Sequence, residues 1–142
     1  MSIWGFQRIL SERLIQWALT SIGIGAVLSL GTKFWRGIGS QFIGWGVINM
    51  AIAWFGGTMA NRRLETLPDP FAPDVMKREA VNLQRLLWIN AGLDVLYMRG
   101  GEALSRRGGR FQRGMGWGII VQGAALFIFD VIHAVRTPVD RP

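Results

Sequence analysis

A chain of 142 residues that is half hydrophobic and only 18% charged carries more apolar surface than a water-exposed fold of its size, since such domains run to about a quarter charged. With no cysteine and one histidine, it lacks the residues for a disulfide, a thiolate metal site, a thiol nucleophile, a multi-histidine metal centre or a bis-histidine haem, and no cofactor is expected. The net charge of +7 is read as Lys and Arg flanking membrane helices, facing a lipid bilayer and its anionic head groups, and not as a nucleic-acid surface.

In chain order, residues 1–12 set Ile3, Trp4, Phe6, Ile9 and Leu10 among polar neighbours. That pattern suits a short amphipathic segment lying in the membrane interface, with a frayed terminus as the alternative. Four apolar stretches follow, at about 13–31, 40–57, 82–99 and 114–135, each near the ~20 residues that cross a ~30 Å hydrocarbon core. Arg8 and Arg13 precede the first, and Ser29 and Gly31 end it, as in a secretory signal. Its apolar run exceeds the ~7–15 residues of such signals, so it is read as a retained span. The fold class expected is all-α, an integral membrane four-helix bundle forming one transmembrane domain over 1–142.

A Pro-rich linker over 64–74 contains Pro68, Pro70 and Pro73, and Asp74 stands where an N-cap would start the third helix. Lys77, Arg78 and Glu79 then occupy wet helical turns. Both termini and the 58–81 connection share one side of the membrane, while the loops near 31–40 and 100–113 share the other. The second side carries Lys33, Arg36, Arg106, Arg107, Arg110 and Arg113 in short loops, which leans the termini toward the outside. Arg106, Arg107, Arg110 and Arg113 are candidate contacts for anionic lipid or an acidic partner, with topological retention as the plainer role.

An internal repeat is suggested by Gly44-Trp45-Gly46-Val47-Ile48 against Gly116-Trp117-Gly118-Ile119-Ile120. It is supported by Trp17 standing 28 residues before Trp45 and Trp88 standing 29 before Trp117. The chain reads as two parallel copies of one helical hairpin. Small residues recur four apart at Ser21, Gly25 and Ser29, at Ser40 and Gly44, and at Gly114 and Gly118. Such ridges let helix backbones approach closely, within the chain or between copies. The tryptophans are read as interface anchors and packing residues.

Polar residues inside the spans are costly in hydrocarbon and face the bundle interior. Counted along the helices, Asn49, Asn90 and Gln122 fall about 12 to 14 Å deep, with Ser21 level with them. The spacing thus predicts one central layer, structural if the side chains bond only to one another and a ligand site if they do not. Asp94 lies one turn beyond Asn90 and completes a candidate midplane polar site of Ser21, Asn49, Asn90, Asp94 and Gln122; a structural role paired with Arg99 is the alternative. The same count puts Asp130 about 15 Å from Asp94 along the membrane normal, which argues against a carboxylate dyad of the acid-protease kind and points Asp130 toward His133 or Arg136. His133, alone near an interface, is read as snorkelling rather than as a haem or pigment ligand.

No Walker A, HExxH, GxSxG or complete GxGxxG signature occurs. The expectation is therefore a non-enzymatic membrane protein, either an accessory, assembly or self-associating subunit in a homo-oligomer or larger membrane complex, or a small oligomeric transporter or channel with its polar site around Asp94.

Overall fold

A computed structural model describes residues 1–139, and among them the chain is all-α with no strand. Four helices follow one another: α1 Ile3–Leu28, α2 Lys33–Thr66, α3 Pro73–Ser105 and α4 Arg110–Arg136. α1 packs along α2, α3 along α4, and α2 against α4. The helices run beyond the apolar stretches that predict them: α2 and α3 each add charged turns toward the linker, and the loops shrink to a few residues. Apolar runs mark the buried or lipid-compatible part of a helix, whereas Lys, Arg and Glu continue it, being good helix formers themselves.

The N-terminal residues are neither frayed nor a separate interfacial segment. Ser2 caps α1, its hydroxyl accepting from the Gly5 N–H at 3.3 Å. Ile3, Trp4 and Phe6 are buried against Ala80, with Leu64, Leu67, Met76, Leu83 and Val139 packed around them. Trp4 Nε1 donates to the Pro70 carbonyl at 2.9 Å, so the linker is tied to the start of α1. Asp74 is not the N-cap of α3. Ala72 holds that position, Pro73 opens the helix and Asp74 lies in its first turn, where a carboxylate still meets the positive end of the helix dipole. At the opposite end, Gly108 turns the chain from α3 to α4 with φ of 77°, a left-handed conformation that side chains resist.

The seams between helices are made of glycine, and they occur twice. In the first hairpin, a Cβ added to Gly25 would sit 2.7 Å from the Gly39 carbonyl oxygen, and one added to Gly39 would sit 2.6 Å from that of Gly25 and 2.7 Å from the Ser29 hydroxyl. In the second, a Cβ added to Gly101 would sit 2.8 Å from the Gly116 carbonyl oxygen, and one added to Gly116 would meet Gly101 and Ser105. Further along, Gly46 lies on Ile22 and the Ala18 carbonyl as Gly123 lies on Met98 and the Asp94 carbonyl. The hairpins are therefore structural copies, but in a different register from the Gly-Trp-Gly match. Gly39 corresponds to Gly116, whereas Gly44 has open space around it. Gly44 is thus not part of a packed ridge, while Gly25, Gly114 and Gly118 are: Gly114 meets Phe34 and Gly37, and Gly118 meets Ile38 and Gln41.

Each of the four helices exposes large apolar side chains: Leu19, Ile24 and Val27 of α1, Val47, Trp54 and Phe55 of α2, Leu86, Ile89 and Leu96 of α3, and Val121, Ile128 and Val135 of α4. The interior, by contrast, holds Ser21, Asn49, Asp94, Gln122 and Asp130. Two of the helices, α2 and α4, are each long and apolar enough to cross a membrane.

Candidate functional site

The predicted central layer is two groups. Gln122, fully buried on α4, accepts from Trp17 Nε1 at 3.3 Å and donates to the Ser21 hydroxyl at 3.1 Å. This triad joins α1 to α4, and each polar atom named in it has found a partner, which fits the structural role. Asn49, Asn90 and Asp94 belong elsewhere, on the wall of a cavity of about 150 Å³ between α2 and α3 that Asp130 also lines.

Asp94 and Asp130, predicted to lie far apart, are side by side: their carboxyl groups are within hydrogen-bonding reach of each other. The correction comes from helix register. α3 continues to Ser105 and α4 begins at Arg110, so the seam of Gly101 with Gly116 sets the pairing and places Gly123 over the Asp94 carbonyl. Gln84 Nε2 donating to the Ala134 carbonyl at 3.1 Å carries the same register to the far end. By this register Asp94 and Asp130 are offset by about two turns, ~10 Å, along the axis. Side chains lean toward the N-terminus of their own helix, and in an antiparallel pair that leans these two toward one another. Counting depth from the edges of the apolar runs missed both effects.

Two ionised carboxylates have only acceptors, so a hydrogen bond between them requires that one carry a proton. Asp94 is 4% exposed and Asn49 is 3% exposed, yet Asp94 Oδ2 and Asn49 Nδ2 have no hydrogen-bond partner in the protein. Such groups cost roughly 1–3 kcal/mol or more unless water or a ligand meets them. Trp45 and Tyr97 stand at the same cavity with ring centroids 5.0 Å apart and tilted by 57°. A second cavity of about 160 Å³ adjoins the first and shares Leu14, Ile52, Asn90 and Asp130 with it. It runs toward the linker end of the bundle, where Gln7 and Arg63 line it and Arg63 pairs with Glu79 at 3.2 Å.

Asp130 does not partner His133 as expected. His133 Nδ1 lies 2.6 Å from the Phe129 carbonyl, to which it donates, leaving Nε2 to accept from Arg13 at 3.3 Å. Both ring nitrogens are thereby engaged, which leaves none for a metal. Among the described residues, no three His, Cys, Asp or Glu side chains converge as a metal site would require. Arg106, Arg107, Arg110 and Arg113 are exposed around the α3–α4 turn, with Arg106 bonded to Glu102 at 2.7 Å, remote from the cavity.

No curated protein and no solved structure matches the chain. Residues 13–131, a stretch that includes Asn49, Asn90, Asp94 and Asp130, match a family of unknown function, DUF6992, and the chain belongs to that family.

Proposed function

We propose that the protein is a four-span membrane protein that admits a small ligand to a polar site in the bilayer interior, as a transporter or channel does. The distribution of side chains supports the membrane setting: each helix exposes large apolar side chains while Asp94, Asp130, Asn49 and Gln122 are inside, the arrangement that lipid favours. α1 and α3 are held to be spans on that ground, alongside the two helices apolar enough by themselves.

One observation carries the functional reading. Where the second hairpin buries Asp94 under Gly123, the first buries Ala18 under Gly46 with the same backbone contact. Seven residues on from those glycines, Asp130 corresponds to Ala53, also buried. The seam is thus made equally well with alanine, so packing does not call for the carboxylates. Buried ionisable groups in a membrane interior are costly and mark ligand or ion paths. The test is thermal stability of detergent-purified protein across a panel of monovalent ions. A stabilisation seen in the wild type and lost in Asp94→Asn supports the reading; no ion-dependent shift in either protein counts against it.

A different observation favours the reading of a self-associating or accessory subunit. Gly23, Gly44, Gly92 and Gly100 have open space where a Cβ would be, leaving room on the outer faces for another helix to approach closely. Cross-linking in native membranes separates the two readings, since an accessory role predicts a partner whose capture survives Asp94→Asn.

A further inference from the structure

Resting on the transport reading, we infer that the Asp94–Asp130 cavity takes a small monovalent organic cation bearing N–H donors, of the guanidinium or ammonium type. The charge fits: a hydrogen-bonded carboxyl pair retains one proton and so presents one negative charge, which matches a monovalent and not a divalent partner. Asp94 Oδ2 is buried and accepts from no N–H of the protein, so an N–H donor of the ligand would meet it with a charge-assisted hydrogen bond. Asn49 and Asn90 add amides whose oxygen and nitrogen ends exchange by a simple flip, so each can present an acceptor.

The remaining wall is aromatic and aliphatic: Trp45, Tyr97, Ile48, Leu93 and Leu126. A bare alkali or alkaline-earth ion needs a shell of oxygen ligands on all sides, and this part of the wall offers only the Tyr97 hydroxyl. The rings of Trp45 and Tyr97 that line it instead suit a delocalised cation, which aromatic rings attract. Size points the same way. About 150 Å³ corresponds to a handful of waters at ~30 Å³ each, room for guanidinium or methylammonium and too little for the drug-sized molecules that fill pockets of about 300–1,000 Å³. The adjoining cavity provides the approach, from the linker end past Gln7 and Arg63 to Asn90 and Asp130.

The experiment titrates purified full-length protein in detergent with guanidinium, methylammonium, sodium, potassium and neutral urea at low millimolar concentration, reading thermal stability and tryptophan fluorescence. Guanidinium or methylammonium is expected to stabilise and to perturb the fluorescence, with urea, similar in shape but uncharged, doing neither. Asp94→Asn should weaken binding about a hundredfold, and Trp45→Leu about fivefold, both with the apo melting behaviour retained. Stabilisation by sodium or potassium alone overturns the organic-cation assignment while leaving the transport reading standing. Equal responses of wild type and Asp94→Asn overturn the site itself, and no response to any cation overturns both. If Asp94→Asn does not fold, Trp45→Leu and the urea control decide the outcome.

Discussion

The two hairpins solve the same packing problem with the same backbone contacts and then differ inside. Gly25, Ser29, Gly39 and Gly46 make the first seam, and Gly101, Ser105, Gly116 and Gly123 make the second. Continuing those correspondences along the helices sets Leu14 against Asn90, Ala18 against Asp94 and Ala53 against Asp130. The first hairpin shows what the fold requires; what the second holds beyond it is Asn90, Asp94 and Asp130 on the wall of a cavity, with Asp94 Oδ2 unsatisfied. The comparison separates architecture from chemistry without reference to any other protein.

The largest effect tests the shared architecture. Gly39→Ala and Gly116→Ala should each destabilise the bundle by about 1–3 kcal/mol or more, because the new Cβ meets backbone and not a movable side-chain tip. At Gly39 the obstruction is the Gly25 carbonyl at 2.6 Å and the Ser29 backbone N at 2.9 Å. Gly44→Ala, in open space, should be neutral or gain up to about 1 kcal/mol of helix propensity. Melting temperatures of the three variants in one detergent check this. Similar losses at Gly44 and Gly116 would restore the Gly-Trp-Gly register and break the comparison.

The next effect turns one hairpin into the other. The double variant Asp94→Ala, Asp130→Ala gives the second seam the alanines of the first, and it should fold and match the wild type or exceed it by about 1–4 kcal/mol, as when buried charged groups are replaced by apolar ones. Its ligand-dependent stabilisation should vanish. A variant that fails to fold would show that the carboxylate pair holds α3 to α4, and the structural role would win.

The triad of Trp17, Ser21 and Gln122 is smaller in effect. Gln122→Leu removes two interhelical hydrogen bonds at an expected cost of about 0.5–1.5 kcal/mol for each. In the first hairpin's counterpart of that contact, Trp45 packs at a tilt against Tyr97 instead. Unfolding in detergent with and without the Trp45→Leu change tells whether the two joints between hairpins are of similar strength.

Four helices, their order and the Pro-rich link were legible in the sequence because long apolar runs and prolines are local signals. Gly25, Gly114 and Gly118 were legible too, as members of four-residue ridges. The register between hairpins was not, since Gly39 and Gly116 differ from Gly44 only in what lies opposite them. Asp94 and Asn90 could be singled out as expensive residues, whereas their meeting with Asp130 depended on where α3 ends and how two antiparallel side chains lean. That Asn49 stands with the aspartates and Gln122 does not follows from helix rotation. A depth count carries no information about rotation.

The smallest expected effect lies at the α3–α4 turn, where Glu102 and Arg106 pair at 2.7 Å with side chains 47% and 75% exposed. The same turn of the first hairpin holds Ala26 and Leu30 by the correspondence of α1 with α3, and it closes without any ion pair. Arg106→Ala should therefore cost no more than about 0.5 kcal/mol, and that loss should shrink in high salt, because exposed pairs are screened and pay for their own ordering. Denaturation at two ionic strengths measures it. A salt-insensitive loss would mean that Arg106 acts on something other than Glu102, and the basic cluster of Arg106, Arg107, Arg110 and Arg113 would then be the part of the second hairpin, besides the cavity, that the first cannot explain.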